Sequence, residues 1–229
     1  GLLGSYLLKI LLERGYKVYA LARSINNKGA KERVIDVLRL WDEKVLIKNF
    51  NSLTILQGDI TRENLGLNRR LRSQLRDEIN EIFHCAATTK FIAPLKELRK
   101  NNVEGTRNVL ELGLEWIKGG ALNKINHIST AFVCVTYKGK FREDDLDVGQ
   151  GFNNPYEQSK FEAEILVRNF IKKGLNIPIF RPSVILGEYR SGKTVDFKTF
   201  YECLYICSLE LINEIPINTK AVANLLPED

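Results

Sequence analysis

The stretch that decides the fold opens the chain: Gly1-Leu-Leu-Gly4-Ser-Tyr-Leu-Leu-Lys-Ile-Leu-Leu-Glu-Arg-Gly15, followed by the β-rich run Lys17-Val-Tyr-Ala-Leu-Ala22. Two glycines precede an apolar helix, a third glycine ends that helix, and a strand follows. This order is typical of the end of a dinucleotide-binding loop, where glycines let the main chain approach a pyrophosphate and the helix N-terminus stabilises its charge. Glycines at a helix start also serve packing alone, so both interpretations stay open.

A complete loop of this kind has one more glycine, and a strand leads into it. Both would lie before Gly1. We therefore expect the sequence to be a fragment of a longer chain whose first strand is missing.

Beyond Gly15 the hydrophobic pattern alternates between strands and helices. Strands are predicted over 17–22, 53–57, 81–86, 122–130 and 177–186. Helices are predicted over 30–49, 67–80, 93–117 and 155–173. Such alternation predicts an α/β fold in which helices cover both faces of a parallel sheet. From about Gly187 onward the pattern becomes helical and irregular, and we expect a second, smaller unit to begin there.

Composition fits a soluble globular domain. The chain has 229 residues, of which 44% are hydrophobic and 27% are charged. No apolar run reaches membrane-spanning length and no signal peptide is visible, so we expect no membrane partner. Two histidines and four cysteines without a CxxC pattern argue against a metal site and fit a reducing cytoplasm. The net charge of +6 suits acidic partners, but no basic motif with interleaved aromatic residues indicates nucleic acid.

Candidate catalytic residues are Thr130, at the end of a predicted strand, and the pair Tyr156 and Lys160. The pair has helical spacing, which places both side chains on one helix face. A nearby ammonium lowers the pKa of a phenol, whose ordinary value is about 10. The hydroxyls of Thr130 and Tyr156 then form a donor pair for an oxygen that gains negative charge, as hydride addition to a carbonyl requires.

A competing motif lies at Gly187-Glu-Tyr-Arg-Ser-Gly192-Lys193-Thr194, which matches the phosphate-binding P-loop pattern. Its interior is bulky and partly acidic where a phosphate would sit. It also follows the last predicted strand, whereas a P-loop normally follows the first strand of its domain. A P-loop nucleotide hydrolase therefore remains an outside alternative.

Taken together, the motifs resemble those of the extended short-chain dehydrogenases/reductases, and most closely the thioester-reductase group. This group comprises the reductase domains that end nonribosomal peptide and polyketide synthases, with carboxylic acid reductases and fatty acyl-CoA reductases as relatives. The matching stretches are Gly1–Leu7, Ala20–Arg23, Gly58–Thr61, Phe83–Ala87, Asn102–Thr106, His127–Ala131, Tyr156–Lys160 and Arg181–Val184. The resemblance implies a Rossmann-type doubly wound sheet. Residues 1–186 would form an NADP-binding domain without its first strand, and residues 187–229 the truncated beginning of a substrate-binding domain.

The resemblance also implies roles for individual residues. Tyr156 would be the acid, Thr130 would share the substrate oxygen, and Lys160 would lower the pKa of Tyr156 while holding the nicotinamide ribose. Asn102 would be a structural anchor. The remaining cofactor-binding residues would be Gly1 and Gly4 at the pyrophosphate, Asp59 and Ile60 at the adenine, Ala86 and Ala87 along the cofactor, and Pro182 and Ser183 at the nicotinamide.

Cofactor choice follows from the end of the second strand, where Arg23 stands and no acid occurs before Glu32. An acid there would bind the ribose 2′-hydroxyl of NAD, whereas arginine favours the 2′-phosphate of NADP. Arg33 could assist from the next helix. The sequence thus predicts NADPH.

The resulting hypothesis is an NADPH-dependent reductase of acyl or peptidyl thioesters. The thioester would be bound to phosphopantetheine on a carrier protein, or to coenzyme A, and the product would be an aldehyde, or an alcohol after a second reduction. A sugar-nucleotide epimerase or dehydratase of the same superfamily shares the tyrosine and lysine and is the main alternative. A regulator that senses the cofactor without catalysis usually lacks that pair.

Overall fold

The strands of this chain pair in parallel and alternate with helices. The computed structural model describes residues 1–197, 200–209 and 225–226. Its helices are α1 (Leu2–Glu13), α2 (Ala30–Asn49), α3 (Arg69–Glu78), α4 (Leu95–Leu98), α5 (Gly105–Ile117), α6 (Pro155–Ile171) and α7 (Phe200–Ser208). Its strands are β1 (Val18–Ala22), β2 (Leu53–Gln57), β3 (Glu81–His84), β4 (Lys124–Ile128), β5 (Ile179–Phe180), β6 (Val184–Ile185) and β7 (Leu225–Leu226).

The described strands form three hydrogen-bonded groups. β1 pairs with β2, β4 lies between β3 and β5, and β6 pairs with β7, all in parallel. The predicted α/β class and Rossmann-type parallel sheet are thereby confirmed. In the doubly wound strand order, the first strand of the fold lies between the strands that correspond to β1 and β3.

Side chains on β1 alternate between two apolar clusters, as the two-residue period of a strand requires. Val18, Ala20 and Ala22 pack with α1 and α2, whose Leu12 and Leu38 have no exposed surface. The intervening residues of β1 pack instead with α3, α5 and α6. Burying one leucine completely contributes about 1.5–3 kcal/mol to folding, so these two clusters hold helices on both faces of the sheet.

Two predicted elements are interrupted. The predicted strand over 177–186 is divided into β5 and β6, because Pro182 between them has no N–H to donate to a ladder. The carbonyl of Pro182 instead accepts the N–H of Ala131 at 2.8 Å. The predicted helix over 93–117 is present as α4 and α5, joined by a π-helical turn over Arg99–Glu104.

Helix α2 spans the predicted residues but breaks at Asp42, whose main chain is extended there. The Asp42 carboxylate accepts the N–H groups of Lys44 at 2.8 Å and Val45 at 3.4 Å. It therefore caps the second half of the helix, a role that aspartate commonly fills. Hydrophobic periodicity does not reveal this break because Val34, Leu38, Trp41 and Val45 remain buried on one face.

The predicted second unit beyond Gly187 lies partly outside the described residues. Within them it contains α7 and β7, and β7 pairs with β6. Of the helices in the described part of the chain, none combines the length and the apolar character needed to cross a lipid bilayer.

Candidate active site

The start of helix α6 is set by its capping residues. The Asn154 side chain accepts the N–H of Glu157 at 3.0 Å, and Pro155 occupies the first helical position, where its missing N–H costs nothing. This start places Tyr156 and Lys160 one turn apart on the inner face of α6. Both side chains are buried, with 8% and 4% of their surface exposed.

The Lys160 ammonium donates a hydrogen bond of 2.7 Å to the main-chain carbonyl of Ile128 at the end of β4. Burial lowers the pKa of Lys160 to about 8, while Glu164 and Cys85 act in the opposite direction. Lys160 is therefore a buried amine that changes charge close to physiological pH. Such groups are characteristic of functional sites.

Tyr156 lies close to Thr130, whose hydroxyl lowers the pKa of the Tyr156 phenol. The ring of Phe91 lies 5.4 Å from the Tyr156 ring, centroid to centroid. Burial raises the pKa of Tyr156 above its ordinary value, the Thr130 hydroxyl lowers it, and Glu157 raises it further. Burial is the largest of these effects on the pKa of Tyr156, and the Lys160 ammonium has the Ile128 carbonyl as its partner. The lowering of the Tyr156 pKa by Lys160 stays a prediction.

Thr130 is fixed by its place at the start of the 3₁₀ turn Ala131–Val133. Its hydroxyl oxygen accepts the N–H of Phe132 at 3.2 Å. That contact uses a lone pair and leaves the hydroxyl proton free to be donated, to Tyr156 or to a substrate oxygen. Because Ala131 bonds to Pro182, the predicted nicotinamide residue Pro182 lies beside this turn.

Asn102 is the buried anchor that the resemblance implied. It lies in the π-helical turn. Its side-chain NH2 group donates to the carbonyl of Thr88 at 3.0 Å, and its side-chain oxygen accepts the N–H of Thr88 at 2.7 Å. It also donates to the hydroxyl of Ser159 on α6 at 2.9 Å. Asn102 thus ties the segment that carries Ala86 and Ala87 to the helix that carries the catalytic pair.

The N-terminus of α1 suits an anion. The first turn of the helix contains no acidic residue. Gly4 has a packing role, since an added Cβ would lie 3.2 Å from the Cβ of Cys85. A helix N-terminus without acidic side chains suits the negative charge of a pyrophosphate, and the contact of Gly1 and Gly4 with that group stays a prediction.

Arg23 and Asp59 are neighbours where β1 and β2 end. Burial by itself raises the pKa of Asp59, but hydrogen bonds from Thr61 and the charges of Arg23 and Arg62 bring it below its ordinary value. The Arg33 guanidinium donates to the Arg23 carbonyl. The side chains of Arg23 and Arg62 are both exposed at this edge.

Ile60 is fixed from α5. Asn108 donates to its carbonyl at 2.7 Å, and the lack of a side chain at Gly105 leaves room for the Ile60 side chain. The predicted adenine residues Asp59 and Ile60 therefore lie on a rigid segment.

A cavity of about 580 Å³ extends from the start of α1 to the segments after β4 and β5. Its apolar wall includes Leu3, Ile128, Phe180 and Pro182. The cavity brings Pro182 to the same space as the start of α1. Its lining also includes Glu143, Glu164 and Arg181 but not Tyr156 or Lys160, so the contact of Pro182 with a nicotinamide stays a prediction.

Sequence analysis did not identify a buried histidine pair. His84 and His127 lie opposite each other on β3 and β4, with ring centroids 5.6 Å apart. Thr106 donates its proton to the Asn102 carbonyl at 2.6 Å, so its oxygen accepts the His84 Nε2–H at 2.9 Å. Neither ring nitrogen of His127 has a protein partner. Burial lowers the pKa of His84 to about 3 and that of His127 well below its ordinary value.

The P-loop-like segment has no phosphate cradle. The N–H of Glu188 bonds to the Lys193 carbonyl and the N–H of Gly192 bonds to the Glu188 carbonyl, which closes the loop on itself. A Cβ at Gly187 would lie 2.4 Å from the Lys193 carbonyl oxygen. The Lys193 ammonium donates to the Trp41 carbonyl at 3.3 Å. The N–H groups of Gly187 and Lys193 are paired as well, with the hydroxyls of Tyr201 and Ser191. Four N–H groups of the segment are thus already used within the protein, which argues against the P-loop alternative.

No group of three or more His, Cys, Asp or Glu side chains within residues 1–197, 200–209 and 225–226 is arranged to hold a metal ion.

Comparison with known proteins identifies several relatives that are much longer than this chain. The nonribosomal peptide synthetase asaC of Aspergillus flavus is 31% identical over 208 residues, which cover 84% of this chain and 20% of that protein. A carboxylic acid reductase of Segniliparus rugosus is 30% identical, covering 82% of this chain and 17% of that protein. An L-2-aminoadipate reductase of Schizosaccharomyces pombe is 31% identical, and the match covers 86% of this chain and 15% of that protein. The chain thus spans about a fifth or less of the length of these relatives.

Among solved structures, the terminal R domain from the myxalamid PKS-NRPS pathway matches with a TM-score of 0.85 and 28% identity. The match covers all of this chain and 57% of that one. A UDP-glucuronic acid 4-epimerase of Bacillus cereus matches with a TM-score of 0.64 at 24% identity, which shows the fold alone. A NAD-binding family model, described as "Male sterility protein", matches residues 1–229. The chain therefore belongs to this family of nicotinamide-cofactor-binding proteins.

Proposed function

We propose that this chain is the cofactor-binding part of an NADPH-dependent reductase that acts on acyl or peptidyl thioesters of phosphopantetheine. The observation that carries the proposal is that the start of α6 places two buried side chains, Tyr156 and Lys160, next to Thr130 and the end of β4. Cofactor binding is assigned to residues 1–186, and residues 187–229 would begin the substrate-binding unit. The related synthetase, carboxylic acid reductase and aminoadipate reductase support a carrier-bound substrate.

The bound nicotinamide cofactor supplies a hydride to the thioester carbon. Thr130 and Tyr156 donate hydrogen bonds to the thioester oxygen, which gains negative charge as the carbon becomes tetrahedral. Tyr156 then transfers its proton to that oxygen, and the positive charge of Lys160 favours the phenolate that remains. The hemithioacetal collapses to an aldehyde and the pantetheine thiol.

The preference for NADPH rests on Arg23. It is exposed where β1 ends, close to Asp59, and an arginine at this position suits a 2′-phosphate. Asp59 is held by Thr61 and by the charges of Arg23 and Arg62, so its carboxylate is compensated rather than directed at a ribose hydroxyl.

A sugar-nucleotide epimerase is the second candidate, favoured only by the fold shared with the UDP-glucuronic acid 4-epimerase. The two functions differ in cofactor balance, because an epimerase regenerates its cofactor in each cycle whereas a reductase consumes NADPH.

The deciding experiment incubates the full-length protein with NADPH and an acyl-pantetheine thioester. We expect stoichiometric loss of NADPH absorbance and an aldehyde trapped as an oxime, with no reaction of the free carboxylic acid, which is a poorer hydride acceptor. Conversion of a nucleotide sugar without net consumption of NADPH would assign the chain to the epimerases.

A further inference from the structure

Glu164 is a carboxylate without exposed surface, one turn after Lys160 on α6. Its Oε2 accepts the Ser129 hydroxyl at 2.7 Å and Arg181 Nε at 3.1 Å. Its Oε1 accepts Arg181 Nη2 at 2.6 Å and Arg168 Nη2 at 3.3 Å. A buried charge is costly unless it is paired and fully hydrogen-bonded, and this one has four donors.

These donors belong to segments that also carry the proposed active site. Ser129 immediately precedes Thr130, and Arg181 immediately precedes Pro182. Because Arg181 binds the carboxylate through two nitrogens, the interaction fixes direction as well as distance. One buried side chain thus connects the end of β4, the segment after β5 and the helix of Lys160.

The two arginines also hold a loop over α6. Arg168 and Arg181 donate to successive main-chain carbonyls at distances from 2.6 to 3.2 Å. The accepting residues are Arg142, Glu143, Asp144 and Asp145. Since Glu164 orients both guanidinium groups, its loss would release this loop as well as the strand ends.

Glu164 is also the carboxylate whose negative charge raises the pKa of Lys160. The other titratable groups that face Lys160 are His84 on β3, Cys85 just after it, and His127 on β4. Both histidines have strongly lowered pKa values and are neutral at physiological pH. Glu164 therefore supplies the negative charge that compensates the buried ammonium.

We propose that Glu164 is a positioning residue of this site, which aligns Thr130 and Pro182 around Lys160 and compensates the charge of Lys160. This inference rests on the proposed reductase function for its kinetic part only. The effect of Glu164 on the titration of Lys160 concerns the chain's own residues and can be measured without turnover.

The kinetic experiment compares Glu164→Gln with Glu162→Gln in the full-length protein. Glu162 lies on the same helix and binds Arg99 through two contacts of 2.6 and 2.7 Å, but it touches no residue of the site. We expect Glu164→Gln to lower kcat about 10- to 100-fold, as small misplacements of reacting groups do, and Glu164→Asp to restore part of it. The Glu162→Gln enzyme should retain the wild-type kcat.

The second measurement is the titration of Lys160 by competitive labelling with acetic anhydride from pH 6 to 10, read by mass spectrometry. Glu164 raises the pKa of Lys160, so Glu164→Gln should move the midpoint below the wild-type value of about 8. The alkaline limb of the pH–rate profile should shift in the same direction. Glu162→Gln should leave both unchanged.

If Glu164→Gln is folded yet keeps the wild-type kcat and Lys160 midpoint, the proposal is overturned. Should that variant fail to fold, Ser129→Ala removes one donor, and an unchanged kcat would equally overturn it. A shifted Lys160 midpoint in a protein that reduces no thioester would support the role of Glu164 while rejecting the proposed reductase function.

Discussion

Lys160 on α6 and Ile128 at the end of β4 are joined by a 2.7 Å hydrogen bond from the ammonium to the main-chain carbonyl. The bond holds this part of α6 at a fixed distance from the end of β4. Thr130 lies two residues beyond Ile128, and Tyr156 lies one turn before Lys160, so Thr130 is close enough to lower the pKa of Tyr156. This contact between a helix and a strand is one of those that set the spacing of the proposed donor pair.

The first prediction concerns the acid. Tyr156→Phe should reduce turnover by about 10²–10⁴-fold, the usual contribution of a positioned acid, while NADPH binding remains nearly unchanged. Steady-state kinetics and fluorescence titration with NADPH would measure the two effects.

The matched control is Lys193→Ala, in the loop that resembles a P-loop. Lys193 has an exposed side chain whose ammonium donates to the main-chain carbonyl of Trp41, so turnover should change by no more than about twofold. Loss of activity in this variant, together with micromolar ATP binding by the wild type, would contradict the proposed site.

Cofactor preference should depend on Arg23. Replacing a charged donor to a phosphate costs about 1.5–3 kcal/mol, so Arg23→Ala should lower the ratio of NADPH to NADH affinity about 10- to 100-fold. Isothermal titration with both cofactors measures the ratio. Arg39→Ala, at an exposed position on α2, should leave the ratio unchanged, and equal affinity of the wild type for both cofactors would refute the assignment.

The thioester should be reduced without transfer to a cysteine. Burial raises the pKa of Cys85 to about 11, so the thiol is protonated at neutral pH. It lies against Gly4 whereas His84 bonds to Thr106, so the adjacent histidine points to the opposite face of the sheet and cannot activate it. Cys85→Ser should therefore retain turnover. An acyl adduct on Cys85 or Cys134, trapped by mass spectrometry during turnover, would contradict the non-covalent route.

Acid should destabilise the sheet through the buried histidines. The folded-state pKa values of His84 and His127 lie below the ordinary value of about 6.5, so the unfolded chain binds more protons and stability falls as the pH drops below that value. Each histidine contributes a slope of about 1.4 kcal/mol per pH unit in the range where only the unfolded form is protonated. The window from pH 6.5 to 5 lies above the titration range of most carboxylates.

The variant His127→Phe tests this loss of stability in acid. It is suitable because neither ring nitrogen of His127 has a protein partner to lose. Hydrogen–deuterium exchange of the β3 and β4 peptides, corrected for intrinsic rates, should show a smaller loss of protection between pH 6.5 and 5 in the variant. Equal losses in variant and wild type would show that His127 is not buried in its neutral form.

The sequence by itself determined the class of fold and the residues of the donor pair. Alternating periods of two and 3.6 residues distinguish strands from helices locally, so β2 and the start of α6 were predicted at their observed positions. The motif around Tyr156 and Lys160 is local as well, because one helical turn separates the two. By contrast, the P-loop pattern at Gly187 was misleading, since a spacing of residue types does not reveal which N–H groups are already paired.

Tertiary structure alone decided which groups face one another and how they titrate. Lys160 bonds to Ile128, and Tyr156 has a raised pKa, because the packing of α6 on β4 removes both from water. Glu164 receives donors from residues 35 and 17 positions away in the chain, and no local pattern encodes such contacts. Desolvation and hydrogen bonding act over distances in space, so the charge states of this site are properties of the folded chain, whereas its elements and candidate residues can be identified from the sequence.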